Sequence, residues 1–223
     1  YCPDSLLGYW AGYDVAVAAG KKTLPFEQTL TEDEIKAIGA ALEKALWQGD
    51  KNSSDVNLNK FDGLIKIIDA VSGSTQNANN SGATSITSAN VITLVNNVYA
   101  AIPSELIDKE DVMIFAGNDL FRTYVMALAS ANLYHYTGTV DGKMEVVIPG
   151  TSVKLVGVPG LIGTNRMFAF QSSNVFYGTD LENDKENFDF WYSNDDRNYK
   201  MEVKFSAGVQ VAFPNQVVRF KLA

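Results

Sequence analysis

VMIFAGNDLFRTYVMAL, residues 112–128, holds a strand and a helix in one short stretch. Val112 to Ala116 is an unbroken apolar run closed by Gly117, the pattern of a strand buried on both faces. Asn118 belongs to the residue types that cap helices. Phe121, Tyr124, Val125 and Leu128 then recur at three-and-four spacing, so one helical face is apolar. The stretch therefore predicts a buried strand followed by a helix from Asn118 to about Leu133.

Upstream, the sequence is helical in pattern. Thr31 followed by Glu34 forms a capping box, and Leu30 and Ile35 stand where a hydrophobic staple places its apolar pair. Ile35, Ile38, Leu42, Ala45 and Leu46 share a face, and Gly49 supplies the stop. The prediction is a helix over Glu32 to Gln48. A polar connector, Asp50 to Asn57, leads to a second amphipathic stretch with Phe61, Leu64, Ile65 and Ile68 on one side. Ser72 to Ser85 (SGSTQNANNSGATS) has no charge and little to bury, which predicts a mobile loop. A third helix is expected from Thr87 or Ser88 to Ile102, where Pro103 ends it.

Downstream of Gly138 the pattern turns to β. Segments rich in Val, Phe and Tyr (144–148, 153–156, 166–170, 175–177, 188–192, 199–205, 209–213 and 217–221) are separated by turn residues such as Pro149-Gly150 and Pro159-Gly160. Helices first and strands afterwards predict an α+β class. The first 30 residues show no clean period and are read as an irregular arm.

Composition narrows the chemistry. The 223 residues are 46% hydrophobic and 20% charged, with 18 Lys and Arg against 26 Asp and Glu for a net charge of -8. A chain of this length buries roughly 70% of its unfolded surface on folding, so it needs no staple. Cys2 alone cannot make an internal disulfide, and one His with one Cys cannot supply an ordinary zinc ligand set. A catalytic triad would have to use His135. No run approaches the ~20 apolar residues of a membrane span. Excess acid disfavours phosphate backbones unless the cations gather on one face, and no such cluster stands out. The start at Tyr1, without Met and without a signal-peptide pattern, leads to the expectation of a trimmed N-terminus.

The individual chemical candidates have structural readings. His135, in NLYHYTG at a helix end, is read as a partner of C-terminal carbonyls, since no Ser, Cys or paired acid completes a set around it. The acids at 180, 182, 184, 186, 189, 195 and 196 lack the calcium-loop pattern, with Lys185 and Trp191 at its glycine and glutamate positions. No two of them stand out as a glycosidase pair. The glycines of GVPGLIG (157–163) lack the spacing of a phosphate loop and read as turn glycines between strands. Phe188, Phe190 and Tyr192 share a strand face and, with Trp191, form either packing surface or a stacking platform for bases or sugars. The sequence thus offers no catalytic, cofactor-binding or metal residue.

The order of elements resembles the major capsid proteins of tailed bacteriophages, the Hong Kong 97-type fold. The carrying segments are ALEKALWQGDKN (41–52) followed by KFDGLIKII (60–68), then Thr87 to Ile102 with VMIFAGNDLFRTYVMAL (112–128). EVVIPGTSVKLVGVPGLIGTNRMFAF, NVFYGTDL and the closing AFPNQVVRF complete the likeness, which spans roughly Leu30 to Phe220.

The resemblance implies an α+β capsid fold with a long spine helix packed on a β-sheet and a second α/β lobe. It implies an arm over 1–30, a peripheral region over 31–111 with the spine at about 88–102, an axial lobe over 112–165, and return strands over 166–223. Family members usually carry a longer lacing arm and extended loop than the 30 residues here allow, and no position matches the covalent crosslinks of some relatives. Function would be that of a structural, non-enzymatic subunit of a phage or prophage icosahedral capsid, without cofactors.

Expected partners are copies of itself in pentamers and hexamers, a scaffold or assembly protease, and DNA enclosed without sequence-specific binding. The place would be the virion, with assembly in the host cytoplasm. A nanocompartment shell protein of the same fold, a carbohydrate- or surface-binding module using exposed aromatics, and, more distantly, an acid-base hydrolase are the alternatives.

Overall fold

The computed structural model describes residues 11–12, 14–15, 18, 26–71, 76–109, 111–131, 144–179, 188–203 and 206–223. The chain divides into two compact units: Tyr1–Ala41 with Gly178–Ala207, and Leu42–Tyr177 with Gly208–Ala223.

Helix α1 runs Phe26–Gln48, α2 Leu64–Ala70, α3 Val91–Ala100 and α4 Asn118–Ser130. The expected start of α1 at Glu32 is too late. A capping box defines a helix end only where the preceding residues leave helical geometry. Phe26 to Leu30 contains neither Pro nor Gly, so the helix continues back to the residue after Pro25. Where a spine over about 88–102 is expected, α3 has ten residues, and α1 has 23. In α4 the cap is Gly117, in extended geometry, and Asn118 is the first helical residue.

The second unit is built on a six-stranded sheet in the order β1-β10-β5-β2-β4-β3. These strands are β1 Gln76–Asn77, β2 Val112–Gly117, β3 Glu145–Val147, β4 Lys154–Val158, β5 Met167–Gln171 and β10 Val218–Phe220. β2 pairs parallel with β4 and antiparallel with β5. A parallel neighbour requires a crossover, and α4 lies on the chain path between β2 and β4. β5, beyond the expected lobe boundary at 165, is in the same sheet and flanks β2 on its other side.

Strand alternation sends side chains into two cores. Ile114 and Ala116 of β2, Met167 and Ala169 of β5, and Val218 and Phe220 of β10 pack with Val91, Leu94, Val95 and Val98 of α3 and Leu120, Phe121, Tyr124 and Leu128 of α4. Phe168 and Phe170 of β5 belong to the other core, with Trp47 from the end of α1, Leu64 and Ile68 of α2, Leu161 and Val217, and with Phe115 of β2 packed against it. Here Phe115 and Phe170 stack at 4.6 Å between ring centroids, and Trp47 lies 5.9–6.3 Å from Phe115, Phe168 and Phe170. Gly160 sits beneath this tryptophan, because a Cβ there would strike the indole ring.

The Ser72–Ser85 segment departs from expectation over its described residues. Gln76 and Asn77 form β1, parallel to β10. The asparagines then supply the hydrogen bonds that a poor core-former lacks. Asn79 and Asn80 accept from the backbone of Ser81 and Gly82, and Asn80 donates to the Lys221 carbonyl. Asn97 of α3 donates to the Asn79 carbonyl and to the Ser81 hydroxyl. Ala78 and Ala83 pack on the α3–α4 core, and polar side chains that bond local backbone hold the turn between them.

Two short ribbons complete the described strands. β6 (Val175–Gly178) pairs with β9 (Gly208–Val211) in the second unit. β7 (Phe188–Ser193) pairs antiparallel with β8 (Asn198–Val203) in the first. All eight sequence-predicted β segments are therefore strands, with ends shifted by up to two residues.

Candidate functional site

His135 and Cys2 lie outside the described residues, as do the acids at 180–187. Asp195 and Asp196 fall in the turn between β7 and β8. Asp196 pairs with Lys200 and accepts from the Ser193 hydroxyl, and the Lys200 ammonium holds its carboxyl below the usual range. It is thereby tied to the hairpin rather than poised against a second acid. Among the described residues no group of three or more His, Cys, Asp or Glu could hold a metal ion.

The remaining charged clusters fasten loops. Lys66 of α2 donates to Asp50 at 2.6 Å and to Asp62 at 2.8 Å, closing the connector that follows α1. Both carboxyls are lowered: Asp50 chiefly by Lys66, and Asp62 first by the Lys51 amide and then by Lys66. Lys66 is raised in return, first by Asp50 and then by Asp62. Gly49 and Gly63 meet across this closure, with the Gly63 amide donating to the Gly49 carbonyl at 2.8 Å. A Cβ on either would run into backbone of the other turn. Asp69 receives Arg166 at 2.5 Å and Arg219 at 3.3 Å, joining α2 to the start of β5 and to β10. Asp111 accepts from Gln171 and Ser173, which lower its carboxyl in that order. Every one of these acids is engaged in holding chain to chain, an arrangement suited to rigidity rather than to acid-base chemistry.

GVPGLIG is likewise architectural. Gly157 ends inside β4, a 3₁₀ turn occupies Pro159–Leu161, and Gly163 takes a left-handed φ of 75°. The Gly163 amide donates to Asp119, in the first turn of α4. No phosphate cradle results, because the loop's contacts are with the fold's own side chains.

Among the described residues several large aromatic side chains are exposed. In the second unit Phe176 and Tyr177 of β6 and Phe213, just after β9, are 58%, 45% and 59% exposed. The backbone beneath them is held by Asn174, which is 3% exposed. Its carboxamide accepts from the Phe213 amide at 2.7 Å and donates to the Phe213 carbonyl at 2.9 Å, while its own carbonyl accepts from Ala212. In the first unit Trp191 and Tyr192 are 42% and 44% exposed on the β7–β8 ribbon. Phe188 and Phe190 are described by backbone register alone, opposite Val203 and Met201. Sequence reading singled out the 188–192 aromatics and passed over Phe176 and Phe213. For Phe176 strand period was the available signal, since Val175 facing inward directs it outward; Phe213 lies beyond β9, where period gives no signal.

No family model matches the chain, and no curated protein matches it. Solved structures do. A chain of the satellite phage P4 procapsid including size determination (Sid) protein superposes with a TM-score of 0.55 at 13% identity, over 96% of this chain and 68% of that one. A chain of the cyanophage A-1(L) capsid asymmetric unit gives 0.48 at 11% identity, over 86% and 67%. One of Mycobacterium phage Che8 gives 0.46 at 13% identity, over 66% of this chain and 53% of that chain, so the present chain spans about half its length.

The architecture is therefore an α+β phage-capsid fold, on the strength of the P4 procapsid likeness. At this identity the likeness speaks for the fold, and the function is argued from it below.

Proposed function

We propose that this chain is a structural subunit of a phage or prophage capsid, assembling with copies of itself into an icosahedral shell that encloses DNA, and that it is not an enzyme. The observation that carries this reading is the likeness to the P4 procapsid chain over nearly the whole of the present one. Two features of the chain support it. Asp50, Asp62, Asp69 and Asp111 are committed to holding chain to chain, and large aromatics are exposed on or beside the strand ribbons, the kind of side chain that protein contacts use. A net charge of -8 suits a wall that must not trap incoming nucleic acid, since a basic lining would bind phosphate wherever they met. Among the described residues no helix is long and apolar enough to cross a membrane.

In this reading the two compact units take the peripheral and axial roles, replacing the boundaries at 111 and 165. The unit of Leu42–Tyr177 and Gly208–Ala223 is the axial-type one. The unit containing Tyr1–Ala41 and Gly178–Ala207 is the peripheral-type one, and α1 supplies the spine. Pentamers and hexamers, a scaffold or assembly protease, residence in the virion and assembly in the host cytoplasm belong to the same proposal. The full-length product, expressed with any protease encoded beside it, should form icosahedral particles visible by electron microscopy. A product that stays monomeric across assembly conditions would overturn the reading.

A further inference from the structure

We draw no further inference here: the strongest candidate, the face of the β7–β8 ribbon on which strand register sets Phe188, Phe190 and Tyr192 opposite Val203, Met201 and Tyr199, is an apolar face for which nothing among the described residues shows what covers it.

Discussion

The six-stranded sheet and the β6–β9 ribbon lie in one unit and are both rich in aromatics, yet they use them oppositely. β5 alternates Met167 and Ala169 into one core with Phe168 and Phe170 into the other, so both faces are covered by the chain itself. β6 turns Val175 inward and leaves Phe176 in water. The difference lies in what packs on each face. α3 and α4 cover one side of the sheet and Trp47 with α2 the other, whereas the ribbon has a single covered side. Equal hydrophobicity thus serves stability in the first case and is available for association in the second.

The largest expected effect comes from breaking the sheet side of this contrast. Phe168→Ala should lower unfolding free energy by about 3–5 kcal/mol, since it removes a fully buried ring beneath Trp47. Phe176→Ala, removing the same side chain from the ribbon, should stay within about 0.5 kcal/mol. Urea unfolding of both variants measures the comparison, and equal losses would erase it. Asn174→Ala should cost about 1–3 kcal/mol, because the Phe213 amide and carbonyl lose their buried partner. Hydrogen exchange should quicken at Phe213, which separates loss of the clamp from general loosening.

Acid titration sharpens the picture at the end of β5. The Asp111 carboxyl is lowered by Gln171 and then Ser173, so its folded value lies below the ordinary 3.8. A lowered carboxyl contributes stability that is present above the unfolded value and is lost as pH falls through the folded one. Asp111→Asn should therefore flatten the acid limb of the stability curve below about pH 4 and leave its alkaline limb unchanged. A limb as steep as in wild type would show that these hydrogen bonds do not persist in solution.

A small effect is expected in the helix-covered core. Tyr124 is fully buried, its hydroxyl has no hydrogen-bond partner among the described residues, and burial pushes its pKa up to about 12. Tyr124→Phe removes an unsatisfied group and should change stability by less than about 1 kcal/mol, with stabilisation as the expected sign. A loss above that, read in the same urea experiment, would reveal a partner for the hydroxyl.

Local pattern was most informative where one physical preference acted alone. Val112 to Gly117 is a strand because an apolar run of that length, closed by glycine, has few alternatives, and the later β segments follow for similar reasons. Helix starts were less legible. Thr31 and Glu34 have the right types for a cap, but a cap signal competes with continued helix, and the five residues before it favour continuation. The Asn-rich stretch was misread because composition counts what a segment can bury and says nothing of what its carboxamides can bond. Asn80 meets Lys221 only once β1 lies beside β10.

The exposed aromatics were legible only as a surplus of rings with no chemistry to serve. Phe168 and Phe176 are the same residue in segments of the same strand type, and no local rule ranks one as core and the other as surface. By itself, the sequence determined the order of elements, the α+β class and the poverty of reactive groups, because these depend on neighbours along the chain and on simple counts. Tertiary structure alone decided the parallel pairing of residues 76–77 with 218–219, the joining of Asp69 to two distant arginines, and which aromatic faces remain uncovered. Those outcomes depend on which distant segments come to share a layer, and strand period constrains only the choice between two faces.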